Sequence, residues 1–305
     1  MIDQKSPLLS KGGIRFLLCF SLFFGIVKAE DEGPWGRQVS KLLGDHIPSL
    51  MQRHKVPGVS VAVFEGITIV LEQAFGSANA EAGIPLTKET RLEACSMSKP
   101  LFAYAFLKVV EAGKMQLDEP ISTYLQRAVE RTVQSPLFPW IASEALEPLG
   151  MSHSSYTWRE GWKGEVSGGH NRDGEVIESR PRYRNGNAAF TLFTTAGDYC
   201  RFLIEMANPA GQIEGRLGQP YKELMLTRAY PESEEGDRIF ALGWMLYRGS
   251  EENGFYHTGS NGSGFRCVSW FQRNPARGLV ILTNATGGKA LHTELMELQS
   301  GKPSP

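Results

Sequence analysis

Cysteine is scarce in this chain, with four residues in 305. Cys19 lies in the N-terminal stretch, and Cys95, Cys200 and Cys267 remain, an odd number that implies no disulfide framework. Metal-ligand spacing is missing as well. There is no Cys-x-x-Cys, and His46, His54, His153, His170, His257 and His292 form no pair one helical turn apart, so no metal site is expected. Lysine and arginine are scattered, the formal net charge is −1, and no basic run is interleaved with aromatics, which argues against a nucleic-acid partner. No Gly-x-Ser-x-Gly elbow occurs, which disfavours the α/β-hydrolase arrangement. Internal repeats and low-complexity tracts are absent, and nothing in the sequence calls for a cofactor.

The first thirty residues differ in kind from the rest. Lys5, Lys11 and Arg15 precede an apolar run from Phe16 to Val27, and Val27-Lys28-Ala29 is a small-x-small site. This is the layout of a secretory signal peptide over residues 1–29, placing the mature protein outside the cytoplasm, secreted or periplasmic. The run is short for a membrane span, so membrane association is expected only through an uncleaved signal segment. Residues 30–305 are then read as one domain, and a 41% hydrophobic content supplies material for a core.

Within that domain, Val39, Leu42, Leu43, Ile47 and Leu50 have helical spacing over 35–54. Residues 59–64 and 68–71 are β-rich runs flanking Glu65-Gly66, a hairpin signal. An almost wholly apolar helix follows over about 99–112, with Gly113 as its stop. Residues 138–149 and 194–207 look helical, the latter with Thr195 as cap, and 208–238 reads as a surface excursion. Three further strand-like runs cover 241–247, 265–271 and 278–283, before a final helix over about 289–299. Strands at both ends and helices between them predict an α/β (α+β) fold. Its antiparallel sheet is built from N- and C-terminal segments with flanking helices, and a helical insertion covers about 120–235.

The chemistry-bearing motif is Ser96-Met97-Ser98-Lys99, at the mouth of the apolar helix. A serine at a helix start is ordinarily an N-cap. Here the spacing of three puts a hydroxyl and an amine on one helix face, and burial would lower the lysine pKa towards that of a working base. A second motif, His257-Thr258-Gly259-Ser260-Asn261-Gly262-Ser263-Gly264-Phe265, is a glycine-rich stretch leading into a strand, and its glycines let a ligand approach the backbone. Taken alone it would be a hairpin turn. Cys95, beside Ser96, reads as a small buried packing residue rather than a nucleophile, and His170 as a loop residue.

Together the two motifs resemble the serine β-lactamase and penicillin-binding-protein superfamily. The closest likeness is to the branch of class C β-lactamases, D-aminopeptidases and related esterases. Val56-Pro57-Gly58-Val59 resembles that branch's opening strand and Thr90–Pro100 its nucleophile segment. Gly113–Ile121, Pro148-Leu149-Gly150-Met151 and Phe193–Phe202 resemble later landmarks, so the likeness covers most of 47–290. It implies that Ser96 is the acylated nucleophile, Lys99 the base, and His257 the residue standing where many members have lysine, as in esterase-like members. It also implies that the backbone N–H groups of Ser96 and Ser260 form an oxyanion hole, with Thr258 and Gly259 lining the substrate strand.

One element departs from the pattern. The family's Tyr-x-Asn should lie between the Asp118-Glu119-Pro120 turn and Pro148, but that interval is short by several tens of residues and holds no such motif. Tyr183-Arg184-Asn185 has the right letters in the wrong order along the chain, and Tyr124 is a weaker substitute. The expectation is a secreted serine hydrolase that forms an acyl-enzyme on a small-molecule ester, amide or β-lactam, as an esterase, β-lactamase or D-Ala peptidase would. The alternative is a catalytically impaired or non-catalytic member, either a truncated isoform or a ligand-binding protein.

Overall fold

The computed structural model describes residues 33–117, 125–162, 164–178, 182–208, 215–227, 238–247 and 254–300. The signal-peptide reading of 1–29, Asp118–Ile121 and Tyr124 lie outside them. Helix α1 (Pro34–Arg53) leads into strands β1 (Gly58–Glu65), β2 (Thr68–Asn79), β3 (Ile84–Pro85) and β4 (Leu92–Glu93). A single 3₁₀ turn, Cys95–Met97, then enters α2 (Ser98–Glu111). Next come α3 (Leu125–Val133), α4 (Leu137–Ile141) continued by a π turn over Ala142–Leu146, β5 (Phe193–Thr194), α5 (Ala196–Ala207) and α6 (Gln219–Thr227). The chain closes with β6 (Arg238–Phe240), β7 (Met245–Tyr247), β8 (Gly254–Ser260), β9 (Arg266–Arg273), β10 (Ala276–Thr283) and α7 (Gly288–Ser300).

Eight strands form one antiparallel sheet in the order β3-β2-β1-β10-β9-β8-β7-β6, so the two halves of the chain meet where β1 pairs with β10. The sheet is covered on both faces, which explains why its central strands are apolar at successive positions rather than alternating with polar ones. Val59, Val61 and Val63 of β1, with Leu279 and Ile281 of β10, pack in a core with Val39, Leu43, Ile47 and Leu50 of α1 and Leu291 and Leu295 of α7. The intervening Ala62, Phe64, Val280 and Leu282 face the larger core with α2 and α5.

The expected elements recur, β2 running on to Asn79, and three of them are changed in form. The run over 241–247 is not one strand: it bends at Gly243, whose φ is +84°, and a Cβ there would stand 2.8 Å from Pro100 Cα. The bend lets this segment press on the first turn of α2, and the Ala241 N–H to Trp244 carbonyl bond of 2.8 Å closes it. The surface excursion over 208–238 contains α6, whose Lys222 is buried against Glu205 at 3.0 Å. The helix over 138–149 becomes α4 plus a π turn. The Thr195 cap is present, with its hydroxyl accepting the Asp198 N–H at 3.1 Å.

Candidate active site

The nucleophile segment leaves β4, passes through Cys95 at φ +54°, and turns through one 3₁₀ step before α2 begins. A left-handed conformation at a non-glycine residue costs of order 1–3 kcal/mol and persists only where surroundings enforce it. Those surroundings are buried hydrogen bonds. Ser98 Oγ donates to the Cys95 carbonyl (2.6 Å) and accepts from the Leu192 N–H (3.0 Å). The Tyr156 hydroxyl donates to the Ser98 carbonyl (2.6 Å), and the Tyr199 hydroxyl to the Met97 carbonyl (2.9 Å). On this fixed turn, Lys99 Nζ donates to Ser96 Oγ at 3.0 Å and to the Ala189 carbonyl at 3.1 Å. Partial desolvation lowers the Lys99 pKa against a smaller opposing influence from Cys95, although the side chain opens onto the cleft.

Strand β8 forms the opposite wall. Its Tyr256 and Phe255 pair with β7, while His257 to Ser260 have no partner on that side among the described residues. Gly259 brings this stretch against the nucleophile turn, because a Cβ there would meet the Ala94 carbonyl at 2.3 Å and Cys95 Cβ at 3.0 Å. His257 Nδ1 lies 2.7 Å from the Thr258 carbonyl, which can only accept, so Nδ1 carries the proton and Nε2 is left with its lone pair. Burial first, then the Lys99 charge, lowers the His257 pKa to about 4 against the opposing carbonyl bond. The ring is therefore neutral at pH 7.

A hydroxyl joined to an amine on a rigid turn, opposite an open strand edge, is an arrangement for acyl transfer. The Beta-lactamase family profile matches residues 43–136 and 126–299, most of the described chain. The chain belongs to the beta-lactamase family. Among curated relatives, esterase EstB of Burkholderia gladioli is 30% identical over 113 residues, 37% of this chain and 26% of that protein. D-aminopeptidase of Brucella anthropi is 35% identical over 82 residues, 27% of this chain and 15% of that protein. The chain thus spans about a quarter or less of the length of these relatives. Among solved structures, the fold is shared with D-alanine carboxypeptidase AmpC from Burkholderia cenocepacia, at TM-score 0.73 and 16% identity over 87% of this chain and 99% of that one. It is also shared with the octameric penicillin-binding protein homologue from Pyrococcus abyssi, at TM-score 0.72 and 20% identity over 87% and 78%.

Within this beta-lactamase-family site, Ser96, Lys99, His257 and the Thr258–Ser260 strand come together. Tyr183 is placed by aromatic neighbours and by Glu93. Its ring lies edge-on to Phe190 and tilted against Phe193, with centroids 5.8 and 5.9 Å apart. Its hydroxyl bonds to Glu93, and burial together with that neighbour raises its pKa. Cys95 is fully buried, its thiol directed at the Glu93 carbonyl (3.5 Å), and burial with Cys267 alongside pushes its pKa well up, the state of an inert thiol. His170 is a buried strut within its loop: Nδ1–H donates to the Asn284 carbonyl (2.9 Å) and Nε2 accepts the Ala80 N–H (3.3 Å). Sequence reasoning missed Tyr156, Tyr199, Ala189 and Glu93, residues without a motif, and the role of Ser98 within its motif. Only the polarity of Glu93 inside an apolar stretch marked any of them. Among the described residues there is no cluster of His, Cys, Asp or Glu able to hold a metal, and no helix is long and apolar enough to cross a membrane.

Proposed function

We propose that this chain is a serine hydrolase that acylates Ser96 with Lys99 as base, cleaving small-molecule esters in preference to amides or β-lactams. The observation that carries this reading is the 3.0 Å bond between Lys99 Nζ and Ser96 Oγ in a chain of this family. Lys99, its pKa lowered, takes the hydroxyl proton as Oγ attacks the substrate carbonyl, and returns it to the leaving oxygen. The N–H groups of Ser96 and Ser260 receive the charge that develops on the carbonyl oxygen; one such donor is typically worth about 10²–10³ in rate. Water then releases the acyl group. A neutral His257 offers no positive charge to a substrate carboxylate, which supports neutral esters as substrates over carboxylate-bearing peptides and lactams. The same reading takes residues 1–29 as a cleaved secretion signal, tested by whether N-terminal sequencing of the exported protein begins at Glu30.

A serine-reactive fluorophosphonate tests the centre directly. Wild type is expected to label and Ser96→Ala not to; equal labelling of the two defeats the assignment. The second reading, a family member without turnover, is favoured by one observation: the tyrosine with the right letters has Glu93 as its side-chain partner. Sustained turnover of a short-chain nitrophenyl ester, a chromogenic cephalosporin or a D-Ala-D-Ala peptide would remove it.

A further inference from the structure

Glu93 lies three residues before the nucleophile and is fully buried. Acidic side chains are almost never wholly buried without partners, because loss of hydration must be offset by hydrogen bonds. Its Oε2 accepts from Ser263 Oγ at 2.7 Å and from Asn261 Nδ2 at 3.1 Å, and its carboxyl group also bonds the Tyr183 hydroxyl. Asn261 and Ser263 belong to the turn that directly follows Ser260. Asn261 Nδ2 also donates to the Phe190 carbonyl at 3.3 Å, next to the Ala189 carbonyl that receives Lys99. The backbone of Glu93 is held as firmly, since its carbonyl receives Cys267 Sγ of β9 at 3.2 Å and the residue pairs with Phe193 of β5. One carboxylate therefore ties the nucleophile strand, the turn after β8, and the 183–190 loop.

We propose that Glu93 is a positioning residue for acylation: it sets the Ser260 N–H and the Ala189 carbonyl in register with Ser96 and Lys99 through Ser263 and Asn261. This rests on the serine-hydrolase reading above. A buried carboxylate is a poor choice for stability alone, since an apolar side chain would pack there without a desolvation cost. What it supplies is a single geometry for the turn. Misplacement of a catalytic group by about 1 Å can cost on the order of 10²-fold in rate.

The test compares Glu93→Ala, Glu93→Gln, Ser263→Ala and the Glu93→Ala/Ser263→Ala double variant. The readouts are kcat and KM on a nitrophenyl ester, the fluorophosphonate labelling rate, and hydrogen exchange across 260–264. Glu93→Ala is expected to lower kcat and labelling about 100-fold, with KM within about threefold and exchange across 260–264 raised. The double variant should lose no more than Glu93→Ala, because both act through one contact. Glu93→Gln should recover to within about fivefold, its amide oxygen replacing Oε2 as acceptor. Multiplicative losses in the double variant, or losses that only track the folded fraction, overturn the proposal. If Glu93→Ala does not fold, Ser263→Ala decides: unchanged kcat and unchanged exchange overturn it. If wild type neither labels nor turns over, the hydrolase reading fails, and exchange in Ser263→Ala still decides whether the tether exists.

Discussion

The two sides of the cleft that meet at Lys99 are built differently. The nucleophile side is a strained turn locked by Ser98, Tyr156 and Tyr199, all buried and each bonded to its backbone. The facing 183–190 loop contributes a carbonyl to Lys99, but it carries Phe190 at 36% exposure and a tyrosine turned towards Glu93. Attack on a carbonyl needs the first side to be immobile, because a near-attack geometry is what converts binding into rate. The second side only has to cradle the amine. The difference teaches that the Ser96 turn is held by buried bonds to its backbone, while the facing loop meets Lys99 through a backbone carbonyl.

The largest expected effect that would break this contrast is at Lys99. Lys99→Ala should lower kcat on a nitrophenyl ester by about 10²–10⁴ without a loss of thermal stability, because the side chain opens onto the cleft. Lys99→Arg should fail equally, since a guanidinium stays protonated; retained activity in either variant would mean another base. Next is Ser98→Ala, which leaves the Leu192 N–H without its buried acceptor and removes the bond to the Cys95 carbonyl. It should cost about 1–3 kcal/mol in denaturant unfolding and reduce kcat along with it. An unchanged midpoint would show that the turn is held elsewhere.

The pH dependence sharpens the same comparison. A base must be unprotonated to act, and burial lowers Lys99 while burial and Glu93 raise Tyr183. The profile of kcat/KM should therefore rise with pH through a single step below the usual lysine pKa of 10.5, with no falling limb below pH 10 from tyrosine ionisation. Two limbs in that range would place Tyr183 in the proton path. The smallest effect is expected for Tyr183→Phe, less than about tenfold in kcat. A fall of 10² or more would make it a relay after all.

Much of the fold was legible in the chain. Strand positions followed from β-branched runs, and the Thr195 cap and the apolar helix following Ser96 were local signals. The bend at Gly243 was not, because a glycine within a strand-like run reads as a weak position until Pro100 is known to press against it. Helix α6 was hidden by the charge and proline around it. Tyr183 had the letters of the missing motif, yet its partner proved to be Glu93, a residue ninety positions away.

The sequence by itself determined the candidate pair: Ser96 and Lys99 three residues apart ahead of an apolar helix, and a glycine-rich stretch that could face them. Spacing along a helix is a local property, so it survives whatever the rest of the chain does. Only the tertiary structure decided that the turn is strained and held by Tyr156 and Tyr199, that His257 is neutral, and that Glu93 joins three separate segments. Burial and hydrogen bonding between distant residues set those properties, and neither is written in the neighbourhood of any one of them.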